Sequence, residues 1–146
     1  MKDLINAIKA FLEADITSLD ITAKIVQKGL PESFQLVPFN NFPYIALGDG
    51  GERAEPTESM DAENRFYAVF IVFAAFSTNR ETALDSVLDL SNQVKASIEK
   101  STNRQKDGHV WGLTIVPFDW EDEKGFYMGR SVTIEYRELE TTYQEY

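Results

Sequence analysis

The chain has 146 residues, of which 43% are hydrophobic, so residues 1–146 are expected to form one domain whose core needs no disulfide or metal. It contains no cysteine, which excludes disulfides, cysteine–zinc sites, iron–sulfur clusters and thiol catalysis. The formal net charge of −10 disfavours nucleic acid and anionic membranes as partners, and the acidic residues serve either to keep the domain soluble or to meet a basic protein.

The first elements can be predicted from hydrophobic spacing. From Lys2 to Asp15, apolar residues recur every three or four positions, which predicts an amphipathic helix rather than a secretory signal. Residues Ile21 to Lys28 form either a strand or an irregular segment, because their period is untidy. Two prolines restrict the next strand to a short one that begins at Pro43.

The segment from Asp49 to Asn64 is almost free of large apolar side chains, and glycine, proline and acidic residues dominate it. This composition is typical of a mobile loop. So long a loop in a compact domain is uncommon, and it serves either as a plain hairpin connection or as a functional element. We expect it to be disordered or strongly mobile in the isolated protein and to contact a neighbour after assembly.

The strand from Phe66 to Phe76 is apolar on both of its faces. Side chains alternate between the faces of a strand, so a half-exposed strand should show alternating polar residues. The pattern therefore predicts that both faces are covered. Either helices lie on both sides of the sheet, or another subunit covers the second face.

The segment from Thr78 to Lys100 has the clearest helical pattern in the chain. Thr78 and Glu81 form the Thr-x-x-Glu sequence of a capping box, in which two side chains satisfy free backbone N–H groups at a helix start. The expected apolar stripe consists of Leu84, Val87, Leu88, Val94 and Ile98. This helix is expected to cover the sheet.

The last third of the chain predicts two more strands joined by a turn at residues 119–125. In the first strand, Trp111, Leu113 and Ile115 share one face, and Pro117 indicates a strand end or a sheet edge. In the second, the core face is expected to contain Phe126, Met128, Val132, Ile134 and Tyr136. The solvent face is expected to contain Tyr127, Ser131, Thr133, Glu135 and Arg137, and residues 140–146 are expected to fray. The elements together predict an α+β domain, a mostly antiparallel sheet covered by two main helices.

Residues that could carry chemistry are few. His109 is the only histidine and is interpreted as part of a polar surface turn, because no cysteine or convincing serine nucleophile accompanies it. An acidic cluster is formed by Asp119, Glu121, Asp122 and Glu123. This cluster lacks the spacing of a calcium loop and is interpreted as a solvated turn, so no enzyme activity, metal or cofactor is expected. The alternative is a small-ligand-binding or hydrolytic domain whose pocket lies beside Trp111, Trp120 and His109.

The order of the elements resembles one known family. The leading helix, FPYIALGD at 42–49, the acidic loop, FYAVFIVFAAFS at 66–77 and the capped helix look like the tail-terminator, or tail-completion, proteins of long-tailed bacteriophages, of the phage lambda minor tail protein U type. The resemblance covers roughly the whole chain. The chain departs from the family pattern at residues 121–125 and in its acidic C-terminal tail, which concerns partner surfaces more than the fold.

The resemblance implies a non-catalytic virion protein of a phage or prophage. Such a protein forms a hexameric ring at the head-proximal end of the tail tube, stops tube polymerisation and offers the head-attachment surface. Its implied location is the neck of the virion, after assembly in the host cytoplasm. The implied partners are further copies of itself, the tail tube protein and a head-completion or connector protein, without direct sequence-specific binding of nucleic acid and without a membrane. A monomer in isolation and another neck or head–tail joining role remain alternatives.

Candidate assembly-interface residues come from the acidic loop, the apolar strand and the acidic turn. They are Asp49, Glu52, Arg53, Glu55, Glu58, Asp61, Glu63, Tyr67, Phe73, Glu121, Asp122 and Glu123. A loop that orders on docking adds affinity only when the correct partner is present. The doubly apolar strand could contribute to the head-to-tail contact that a ring needs.

Overall fold

Two helices and five strands make up the described chain. The computed structural model describes residues 2–16, 25–30, 37, 42–56, 62–100 and 109–142, with the backbone alone for residues 16, 25–27, 62, 63, 109–111 and 138–142. The elements are α1 (Lys2–Ile16), β1 (Ile25–Lys28), β2 (Tyr44–Pro56), β3 (Ala62–Ser77), α2 (Arg80–Glu99), β4 (His109–Glu121) and β5 (Phe126–Thr142).

The strands form one sheet in the order β1-β2-β3-β5-β4. β3 pairs antiparallel with β2 on one side and with β5 on the other, and β4 pairs antiparallel with β5. β1 is parallel to β2. The predicted class, a mostly antiparallel sheet with two helices, is confirmed. Pro117 lies in β4 at the sheet edge, where a missing N–H donor is tolerated.

Both helices cover the same face of the sheet, here called the helix face. α1 contacts α2, β1 and β2, and α2 contacts β3 and β5. Their buried side chains include Leu4, Ile8, Leu12, Val87, Leu90, Val94 and Ile98. These side chains pack on Ile45, Val69, Ile71, Phe73, Val132, Ile134 and Tyr136 of the sheet. Each fully buried aliphatic or aromatic side chain contributes about 1.5–3 kcal/mol, so this single layer is the main source of stability. Within the described chain, neither helix has the length and apolarity to cross a bilayer.

The opposite side of the sheet, here called the open face, carries no helix among the described residues. Helices on both sides of β3 are therefore not found within the described residues. The described cover of the open face includes an aromatic cluster at one end, formed by Phe42, Tyr44, Phe76, Trp120 and Tyr127, and Leu30, which lies over Gly48. Phe70, further along β3, is only half-buried. Coverage of this face by another subunit stays a prediction.

β2 and β3 continue as paired strands through most of the segment that was predicted as a loop. Pairs such as Glu52 with Tyr67 and Pro56 with Glu63 extend the hairpin, and β5 accompanies β3 as far as the pair Ala62 with Thr142. The predicted mobile loop is therefore wrong for residues 49–56 and 62–64, and fraying is wrong for residues 140–142, while residues 57–61 and 143–146 lie outside the described chain. Composition is misleading here because this part of β2 extends beyond the core and has no apolar face to mark its period.

α2 begins two residues later than predicted. Its N-cap is Asn79, whose Oδ1 accepts a hydrogen bond from the Thr82 N–H at 3.2 Å. The Thr78–Glu81 capping box is therefore wrong, although asparagine caps a helix as well as threonine does. Leu84 also leaves the predicted stripe, with 40% of its surface exposed, because the buried face begins at Ala83.

The final hairpin also differs from prediction at several positions. Residues Asp119 to Glu121 complete β4, so the turn is limited to residues 122–125. Tyr127 is 3% exposed rather than solvent-facing, because it belongs to the aromatic cluster on the open face. His109 is the first residue of β4, opposite Arg137, rather than part of a turn.

We predict that Asn79→Ala lowers the free energy of unfolding by about 1 kcal/mol, because the Thr82 N–H loses its acceptor. Thr78→Ala, which removes the cap suggested by sequence, should change it by less than about 0.5 kcal/mol. Urea denaturation of both variants measures the difference. A larger loss from Thr78→Ala would contradict the observed helix start.

We also predict slow hydrogen exchange for the backbone amides of β3 from Glu63 to Arg65 in the isolated protein, because this part of β3 includes residues of the segment predicted as a mobile loop. β3 has a paired strand on each side there, with Arg65 opposite both Ala54 and Glu138. Exchange mass spectrometry measures this protection. Exchange at the rate of an unstructured peptide would restore the mobile-loop interpretation.

Candidate assembly surfaces

A prominent surface feature is a three-stranded extension of β2, β3 and β5, here called the acidic arm (residues 49–56, 62–65 and 135–142). A β-bulge between Asp49 and Gly51 marks its base on β2. Asp49 Oδ1 accepts a hydrogen bond from the Gly51 N–H at 2.7 Å, and Gly51 has φ +96°. A Cβ at Gly50 would lie 2.8 Å from the carbonyl oxygen of Ala68. Two glycines are therefore required where the arm leaves the core.

The arm concentrates the charge of the chain. Its 20 residues contain seven acidic and three basic side chains, a net charge of −4, whereas the whole chain carries −10. Among its described side chains, Glu52, Arg53 and Glu55 are exposed. The arm is therefore a source of negative potential at one end of the sheet.

Arg53 organises the arm from within. Its guanidinium carbon lies 3.9 Å from the ring centroid of Phe66 on β3. Its Nε lies 3.3 Å from Glu135 Oε1 on β5, and it also forms an ion pair with Glu55 on its own strand. A cation–π contact of this kind contributes about 0.5–1 kcal/mol, while the exposed ion pairs contribute less. Arg53 thus connects all three strands.

The predicted interface residues of the segment 49–67 lie on or next to the arm. Asp49, Glu52, Arg53 and Glu55 have described side chains there, Glu63 has a described backbone, and Glu58 and Asp61 lie outside the described chain. Tyr67 is partly buried against the core. Phe73 is fully buried beneath the helices, so its side chain is not on the surface of a single copy. Strand periodicity identified Phe73 as apolar but gave no sign of which layer would cover it.

The predicted acidic turn lies at the other end of the sheet. β3 runs from the arm to Ser77, which pairs with Phe126 beside the turn. At about 3.3 Å per residue, the pair of Glu52 with Tyr67 lies about 33 Å from Ser77, and Ala62 at the far end of the arm lies about 50 Å from it. Glu121, Asp122 and Glu123 are all exposed at this turn. The structure therefore divides the predicted residues between two ends and does not bring them into one site.

Asp122 shapes the turn through hydrogen bonds. Its Oδ1 accepts from the backbone N–H of Lys124 at 2.8 Å and of Gly125 at 3.2 Å, and its Oδ2 accepts from the Tyr127 hydroxyl at 3.0 Å. Desolvation raises the pKa of Asp122, but these three hydrogen bonds and the Lys124 charge outweigh it, so the pKa lies below its ordinary value of 3.8. The stabilisation is therefore present above that pH and is lost as the solution becomes more acidic.

The pKa of Tyr127 is shifted in the opposite direction, to a higher value. Burial, the hydrogen bond to Asp122 and the charge of Asp122 raise the pKa of the Tyr127 hydroxyl from 10.0 to about 12. Its stabilising contribution is complete below pH 10 and is lost as the pH rises through the folded value. Asp122 and Tyr127 thus connect the turn to the aromatic cluster.

The aromatic cluster is a second small core on the open face. Trp120 stacks on Tyr127 with ring centroids 4.8 Å apart, and Phe42 meets Tyr127 edge-on at 5.2 Å. Burial also raises the pKa of Tyr44. The sequence did not predict this cluster, because the cluster joins segments that are distant along the chain. In addition, Trp120 was predicted to lie in the turn and not in a strand. The alternation of Phe118, Trp120 and the later Tyr127 was the available signal.

The ligand-pocket alternative does not match the geometry. His109 and Trp120 lie at opposite ends of β4, eleven residues or about 36 Å apart. Trp111 is two residues from His109, so the three residues do not surround one pocket. Within the described residues, no group of three His, Cys, Asp or Glu side chains could hold a metal ion.

Comparison with known proteins gives a match at the level of the fold. No family model and no curated protein matches the sequence. Among solved structures, the chain is similar to a chain of the virion of a native gene transfer agent particle, with a TM-score of 0.52 and 18% identity. The match covers 92% of this chain and 92% of that chain. At this identity the similarity establishes a shared fold, and it extends over nearly the full length of both chains.

We predict that Asp122→Asn lowers the pKa of Tyr127 toward 10, because it removes the charge that opposes tyrosinate formation. The pKa should stay above 10.0 since burial remains its largest cause. NMR titration of ring-labelled tyrosine, assigned with Tyr127→Phe, measures the shift. Glu123→Gln is the matched control at the neighbouring acidic residue, and an equal shift in that control would contradict the specific contact.

Proposed function

We propose that this chain is a structural virion protein of the tail-terminator type. In this role it forms a ring at the head-proximal end of a tail tube, stops tube growth and presents the surface to which a head attaches. The observation that carries the proposal is the fold similarity to a virion chain over 92% of both chains. The order of elements along the sequence supports the more specific terminator role.

The distribution of charge is consistent with an adaptor between two partners. The acidic arm lies at one end of the sheet and the acidic turn at the other, with Glu52 about 33 Å along the sheet from the turn. A protein that joins a tube to a head needs two separate docking surfaces. We assign the arm, with its net charge of −4, to a basic rim of the tail tube protein, and the turn to the head-completion or connector protein.

The proposal places the chain in the neck of a phage or prophage virion, after assembly in the host cytoplasm. Its contribution is non-catalytic, because shape and charge at the two ends perform the task. Another neck or head–tail joining role would use the same fold and the same partners. The ability to stop tube polymerisation is the property that separates the terminator role from that alternative.

We predict that the purified chain shortens the tubes formed by its cognate tail tube protein and adds density at one tube end. Negative-stain microscopy of tubes polymerised with and without the chain measures both effects. Tubes of unchanged length, with no density at their ends, would contradict the terminator role.

The same assay tests the assignment of the arm. Glu52→Lys should weaken capping by about tenfold, because an exposed acidic side chain facing a basic rim changes sign. Glu123→Lys makes the same charge change at the other end and should leave capping unchanged. The reverse pattern would assign the turn, and not the arm, to the tube.

A further inference from the structure

The open face contains two neighbouring rows of side chains that cross four strands, here called the neutral strip. The registers of β2, β3, β5 and β4 align these residues directly opposite one another. The first row is Ala46, Val72, Ser131 and Val116, and the second is Gly48, Phe70, Thr133 and Thr114. The aromatic cluster borders the strip on one side, and the charged residues of the arm border it on the other.

None of these eight side chains is charged. Ala46, Gly48 and Val72 are buried even in a single copy, and charged residues make up 26% of the chain, so the five accessible positions would contain about one at average composition. The strip is nevertheless accessible in a single copy, since Val116 is 55% exposed and Thr114 is also exposed. Leu30, 43% exposed, extends the strip at Gly48, where an added Cβ would lie 2.7 Å from its Cγ.

The strip is also built for close approach. On β5 and β4 the strip consists of the small or β-branched residues Ser131, Thr133, Thr114 and Val116, whereas on β2 Leu30 already lies over Gly48. A second layer can rest on a sheet face of this kind at about 10 Å, the usual spacing of packed layers. The half-buried Phe70 and the exposed Val116 would then become core residues.

We propose that the neutral strip is the surface on which a second copy of this chain docks, a proposal that rests on the ring described above and names its contact face. Two copies, each with a net charge of −10, repel one another wherever their acidic surfaces meet. A region without charge is the surface where such copies approach at the lowest electrostatic cost. A basic partner would instead be attracted to the acidic arm. The chain would therefore use one surface to bind copies of itself and another surface to bind other proteins.

Val116→Lys tests the strip. The substitution buries an ammonium group in the contact, and we expect the dissociation constant for self-association to rise at least about tenfold. Because lysine also reduces the net negative charge, a loss of association is not explained by stronger repulsion between copies. Leu84→Lys is the matched control, since it replaces an exposed aliphatic residue on the helix side with the same charge change. Sedimentation velocity at two salt concentrations gives both constants.

The salt dependence of the unsubstituted chain has a defined sign. Added salt screens repulsion between acidic copies while leaving an uncharged contact intact, so self-association should strengthen. Binding of a basic protein through the arm should weaken under the same conditions. Self-association that weakens with salt would overturn the proposal in favour of a contact between charged surfaces.

A second measurement does not depend on a disruptive substitution. The chain has no cysteine, so Val116→Cys and Leu84→Cys each introduce a single thiol. We expect maleimide labelling at position 116 to slow at least fivefold as the protein concentration rises toward about 1 mM, while labelling at position 84 stays constant. Equal labelling at both positions at all concentrations overturns the proposal, whether the chain is monomeric or assembled through another face.

Failure of this inference and failure of the proposed function are distinguishable. Tubes that are capped by the chain while position 116 remains fully reactive would leave the terminator role intact and remove the strip as its self-contact. Protection of position 116 together with failure to cap tubes would support the strip and remove the terminator role.

Discussion

The structure depends on the pairing of β3 with a strand on each side along nearly its whole length. This register places Phe73 beneath the helices and Phe70 on the open face. A slip of one residue would exchange the two faces and expose the core, so the hydrophobic layer fixes the register. The same continuous ladder then carries the acidic arm beyond the core, where no buried layer supports it.

The parts of the fold that sequence predicts are those with one buried face and a regular period. Both helices and the alternating strand β5 meet that condition. The arm does not, because its exposed strand residues Gly51 to Pro56 leave no hydrophobic period to detect. The start of α2 was misplaced because Thr78 and Asn79 are both good caps, and only backbone geometry selects Asn79.

The candidate site could be predicted only in part, for a related reason. Charge identified the acidic residues of the arm and of the turn at the level of sequence. Their separation by the length of β3 depends on strand register, and so does the meeting of Trp120 with Tyr127. The neutral strip is invisible in the linear sequence, since its rows take one residue from each of four strands. Apolar composition on both faces of β3 showed that a cover was needed but not which layer supplied it.

The surfaces together describe a protein suited to assembly. Acidic side chains lie at both ends of its sheet, its stability comes from one helix-covered face, and the accessible part of its neutral strip carries no charge. We propose that such a chain contacts copies of itself through the neutral strip and other proteins through its ends. In a virion neck, those two kinds of contact would form the ring and join it to the tube and head.

An electron cryomicroscopy reconstruction of the end of a tail tube capped by this chain tests the central claim most directly. The account predicts a closed ring in which each copy buries Val116 and Phe70 against its neighbour while its arm contacts the tube. A ring whose open faces remain in solvent, or a tube end without this chain, would contradict it.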